Sequence, residues 1–138
     1  MSHPSMDAAS SQSLIDEERL DRWLHGRCAL FAVALHRATG LPIRAWIDED
    51  PEIDEPVLVH AFVMDGDRAV DAFGARDPDD LLGEYETWDP TLVEMTEAQV
   101  LAIGEGPDLD AAMFAEAVSD AALIANDLRI VRAPAFAP

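Results

Sequence analysis

From Cys28 to Leu35 the chain reads Cys-Ala-Leu-Phe-Ala-Val-Ala-Leu, apolar at every position. A helix that is apolar all round has no face to give to water, so other elements must wrap it. Gly26 interrupts the pattern upstream, Gly40 ends it as a C-terminal glycine, and Pro42 prevents its continuation. The fold is therefore expected to be built around a central helix that opens with the chain's single cysteine.

The flanking segments supply the wrapping. Leu14, Ile15, Leu20, Trp23 and Leu24 recur at helical spacing and predict a helix over 14–24. Ile43–Ile47, Val57–Met64 and Arg68–Phe73 read as strands, the last two joined at Asp65-Gly66, an Asp-Gly hairpin signal. Asp77-Pro78 marks a helix start before Leu81-Leu82, and Tyr85 to Met95 is irregular or strand-like. Thr96 with Gln99 fits a capping box opening a short helix, and Gly104 to Pro107 is a break. Asp110 to Asn126 predicts an Ala-rich helix, and Leu128 to Val131 a last strand. Trp46 and Trp88 are expected in the core. The polar, Ser-rich stretch 1–13 reads as a flexible leader, leaving 14–138 as one α+β domain.

Composition removes several classes of function. The formal net charge is −19, from 28 acidic against 9 basic residues. Nucleic-acid binding needs clustered cations to neutralise phosphates, so no direct nucleic-acid contact is expected. An acidic surface instead favours solubility and cationic partners. The basic residues are all arginine, as GC-rich codon usage or selection against side-chain amines would produce. No apolar run reaches the length of a membrane span. One cysteine forms no internal disulfide, which suits a cytoplasmic setting.

A lone cysteine with a histidine and a carboxylate elsewhere in the chain is a candidate nucleophile, and Cys28, His60 and Asp71 supply that set. Thiols attack as thiolates, which a helix N-terminus favours through its free amides and dipole. The Cys28 amide is a natural first oxyanion donor; Trp23, His25 and Gln12 are candidates for a second. A two-residue turn at Asp65-Gly66 would pair Met64 with Asp67 and, stepping outward, set His60 directly opposite Asp71. Cys28, His25, His60 and Asp71 lack the paired spacing of zinc ligands, and the loop Asp48 to Glu52 lacks the glycine of a calcium loop. No metal or cofactor is expected. His36 is placed on the exposed C-terminal end of the cysteine helix.

Gly26-Arg27-Cys28, Gly40-Leu41-Pro42-Ile43-Arg44, His60-Ala61-Phe62 and Asp71 together resemble the core of transglutaminase-like proteins, over Gly26 to Gly74. The family pattern has a Gly-Ile-Pro-x-Arg segment after the helix and a His-Ala-Trp strand; here Phe62 replaces the tryptophan, and Asp71 precedes Ala-Phe-Gly instead of Pro-Thr. The resemblance implies a papain-like fold, with a cysteine-bearing N-terminal helix on an antiparallel sheet and Cys28, His60 and Asp71 as a triad. It also implies thioester chemistry on an amide or ester carbonyl, as in a peptidase, deamidase or transamidase. The expected substrate is a protein or peptide, cationic given the charge of this chain. The alternative is a non-catalytic acidic binding module: an inhibitor, an immunity protein or a nucleic-acid mimic.

Overall fold

The computed structural model describes residues 14–106 and 109–130. Its elements are α1 (Glu17–His25), α2 (Cys28–Thr39), β1 (Ile43–Asp48), β2 (Val57–Asp65), β3 (Arg68–Asp71) and β4 (Gly74–Arg76). They continue with α3 (Pro78–Leu82), β5 (Thr91–Met95), α4 (Glu97–Gly104) and α5 (Ala111–Asp127). The architecture is α+β, with the strands in one antiparallel sheet of order β4-β3-β2-β1-β5. The leader expected over 1–13 lies outside the described residues. Among those described, no helix is long and apolar enough to cross a membrane.

α2 is the buried axis that its composition demands. Every residue from Cys28 to Leu35 is buried, and Gly40 closes the helix in the left-handed conformation at φ 79°. α1, α4, α5 and the central strands surround it. Ile43, Ala45, Ala61, Val63 and Val70 face this layer, while Trp46, Phe62, Met64 and Ala69 alternate onto the other side of the sheet with Leu81. α1 is locked to α5 through Asp120, a buried carboxylate that accepts from Arg19 Nε at 2.8 Å and Trp23 Nε1 at 2.9 Å.

Several expectations from sequence need correction. α1 begins at Glu17, because Asp16 takes the N-cap and accepts from the Arg19 amide; Ile15 is buried but precedes the helix. Trp88 is 61% exposed, whereas Trp46 is in the core with its indole N–H on the Pro78 carbonyl. No strand forms over 128–130. Arg129 instead adopts φ 59° and donates to Asn126, and the Ile130 amide reaches back to Ala125. That pair of bonds is a Schellman motif, so Leu128 and Ile130 pack as a helix end onto the core. Val131 lies outside the described residues.

The hairpin differs in register. Asp65 pairs with Arg68, Met64 with Ala69 and Val63 with Val70. The turn is thus Gly66-Asp67, with Gly66 at φ 66° in the first central position, where a II′ turn places its glycine. Pairing moves by two residues from the expected register, and the ladder ends with Val63 opposite Val70. A two-residue shift preserves the face, so His60 and Asp71 become diagonal neighbours on the same side, still within side-chain reach. β3 also ends at Asp71, two residues early, and the chain turns through Ala72-Phe73 into β4, which the sequence pattern does not reveal.

Candidate active site

The sequence-predicted residues Cys28, His60 and Asp71 are brought together where α2 meets β2 and β3. Cys28 is the first residue of α2 and is 8% exposed. The other long helices, α1, α4 and α5, are capped at their N-termini by the side chains of Asp16, Thr96 and Asp110. α2 is not: Arg27 at its N-cap makes no side-chain cap bond. The amides of its first turn are left to whatever sits beside the sulfur.

His60 is fully buried in β2. Its Nε2 lies 2.8 Å from Asp71 Oδ2. Asp71 Oδ1 accepts from the Phe73 amide at 2.9 Å, so the carboxylate that orients the imidazole also closes the turn ending β3. Arg76 adds a cation at 3.3 Å from Asp71 Oδ2, stacks over the Phe73 ring at 4.2 Å and pairs with Glu84 at 2.6 Å.

With Nε2 engaged by Asp71, Nδ1 is the nitrogen left for the thiol. It is buried and has no partner within ordinary hydrogen-bond geometry, as an unliganded proton relay often is before its contacts tighten. Burial is the largest single influence on this ring and disfavours its charge. The neighbouring Asp71 and Cys28 together outweigh it, raising the His60 pKa to about 9. Imidazolium is the form this site holds at neutral pH.

Tyr85, the chain's single tyrosine, is the site residue that sequence reasoning missed. Its ring stacks on His60 at 5.5 Å and 23°, and its hydroxyl donates to the Leu24 carbonyl at 2.9 Å. Burial, reinforced by the charges of Asp71 and Cys28, raises its pKa, so it stays a neutral phenol. The irregular stretch that carries it is held by Asp48, a buried carboxylate accepting from the Trp88 and Asp89 amides at 2.7–3.0 Å. The only sequence signal was an aromatic residue within an acidic connection.

A cleft of about 350 Å³ opens beside Cys28, lined by His25 and Gly26, by residues 56–59, and by Ile103 and Gly104. Gly104 sets how closely α4 approaches. A Cβ there would fall 2.4 Å from Ala29 Cβ and 3.0 Å from Leu58 Cδ2. Ala29 is the next residue after the cysteine and cannot swing aside. Gly104→Ala should therefore lower stability by about 2 kcal/mol, as overpacking does. A urea midpoint equal to wild type would show that the cleft wall yields freely.

Arg27, beside the cysteine, bonds Glu105 at 2.6 Å and ties the end of α4 to the same corner. Of the proposed second oxyanion donors, Trp23 is fully buried with its indole N–H committed to Asp120, and Gln12 lies outside the described residues. His36 lies at the end of α2 with Nδ1 2.7 Å from the Leu41 carbonyl, away from the cleft lining. Among the described residues no group of His, Cys, Asp or Glu is placed to hold a metal ion. Searches against protein families, curated proteins and solved structures found no match for this chain.

Proposed function

We propose that this protein is a small cysteine acyl enzyme of transglutaminase-like, papain-like type. The observation that carries this reading is the buried His60: one ring nitrogen on Asp71 at 2.8 Å, and a proton held to a pKa of about 9 partly by Cys28. A nucleophile, a base and a group orienting that base are the parts that acyl transfer through a covalent intermediate requires.

In this mechanism the Cys28 thiolate attacks the carbonyl carbon of an amide or ester. The C–S bond forms as the carbonyl π pair moves onto oxygen. Collapse of the adduct breaks the bond to the leaving group, and His60 gives its proton to a departing amine. Water then attacks the thioester with His60 as base, releasing acid and restoring the thiol; an amine in place of water completes transamidation. Asp71 holds the ring throughout.

The substrate we propose is a cationic peptide or protein. The exposed stretch 49–55, with Glu49, Asp50, Glu52, Asp54 and Glu55, leads directly into Pro56 at the cleft wall. The chemistry needs a reduced thiol, which favours the cytoplasm.

Iodoacetamide tests the central pair. Cys28 should alkylate faster at pH 7 in wild type than in His60→Ala, and the pH profiles of the two should differ, because His60 is the base and the cation beside the sulfur. Parallel profiles for the two proteins would remove the proposal. A second reading, an acidic binding module built on the same fold, draws support from the −19 charge and from the near-complete burial of Cys28. Salt-sensitive capture of a basic partner that survives Cys28→Ala and His60→Ala would favour it.

A further inference from the structure

We propose that His25 is a catalytic residue, donating the second hydrogen bond to the oxyanion that forms when Cys28 is acylated; this rests on the acyl-enzyme reading above. The thiolate adds to a carbonyl, and the charge that develops on its oxygen needs donors placed beforehand. The uncapped first turn of α2 supplies the Cys28 amide as one. For another, the cleft offers a single polar side chain besides the cysteine itself. Every other lining residue is glycine or apolar, and His25 is the lining residue whose side chain carries an N–H.

The placement of His25 is built. It is the last residue of α1, separated from Cys28 by Gly26 and Arg27. Its ring lies against Tyr85 at 5.9 Å, and the opposite neighbour of Tyr85 in this aromatic series is His60 at 5.5 Å. Tyr85 also bonds the Leu24 carbonyl, fixing the end of α1 from which His25 projects. Asp21 stands 3.8 Å from His25 Nε2. The side chain is 55% exposed and lines the cleft beside Cys28, open to an entering carbonyl group. A neutral imidazole carries one N–H and a charged one two, so the ring donates in either form.

The test compares two reactions at the same sulfur. Acylation by p-nitrophenyl acetate passes through an oxyanion. Alkylation by iodoacetamide displaces iodide at a saturated carbon and forms none. His25→Ala should lower kcat for ester turnover about a hundredfold, with KM within about threefold, while the iodoacetamide rate and its pH profile stay at wild-type values. His25→Gln, which keeps an N–H donor, should recover most of the loss. Equal losses in both reactions would assign His25 to the ion pair or to folding and overturn the proposal, as would an unchanged ester rate. A wild-type protein that alkylates normally but releases no p-nitrophenol above the Cys28→Ala background would instead overturn the acyl-enzyme reading, and this proposal with it.

Discussion

Replacing His60 by alanine is expected to slow the acylation of Cys28 by p-nitrophenyl acetate about a thousandfold at pH 7, within the range that a positioned acid–base group contributes. That corresponds to about 4 kcal/mol of transition-state stabilisation. The loss has a stated origin. His60 can both hold a proton near neutral pH and present it inside a buried site, through a ring fixed by Asp71 on one edge and Tyr85 on one face. Asp71→Asn should act in the same direction with a smaller effect, because an amide can accept the ring N–H but cannot balance its charge. Since the groups act as a unit, the double variant should lose little beyond His60→Ala alone. An ester rate in His60→Ala within threefold of wild type would mean that Cys28 needs no base, and the mechanism would fail.

Stability should fall as the protein is taken from pH 6.5 to pH 9.5. His60 binds its proton more tightly folded than unfolded, with a folded pKa of about 9 against an ordinary value of 6.5. A raised pKa gives a contribution fully present below the unfolded value and lost as pH climbs through the folded one. Urea unfolding across this window should show the decline in wild type and a flatter profile in His60→Gln. A wild-type profile that is level, or that rises with pH, would contradict an imidazolium held between Asp71 and Cys28. Both results are readable without a known substrate.

The parts of this molecule that were legible beforehand are those set by neighbouring residues. The all-apolar run from Cys28, closed by Gly40, specifies α2 by itself, and Thr96 with Gln99 forms the capping box that opens α4. The proximity of His60 and Asp71 was also readable, because a two-residue error in register leaves side chains on the same face. The error came from Gly66, whose preference for the left-handed region moves the turn one residue along. β4 escaped notice because Gly74-Ala75-Arg76 is too short to show alternation. Leu128 and Ile130 looked like a strand because an apolar residue on each side of a helix-end turn mimics period two. Tyr85 was invisible for another reason: nothing local links it to His60, 25 positions away in sequence, and tertiary ties, the hold of Asp48 on the 88–89 backbone and the bond of its hydroxyl to the Leu24 carbonyl, bring its segment over the ring. Non-local contacts of this kind leave no periodic trace.

The wrapping of α2 has a dynamic consequence. A helix touched by α1, α4, α5 and the central strands opens only when the whole domain does, so its amides belong to the slowest-exchanging cooperative unit. Cys28 is therefore anchored in the part of the chain least able to fluctuate, while the largely exposed 49–56 loop has few such ties. Breathing that widens the cleft is drawn from that peripheral loop, so entry to the cleft and the alignment of the sulfur can change independently of one another.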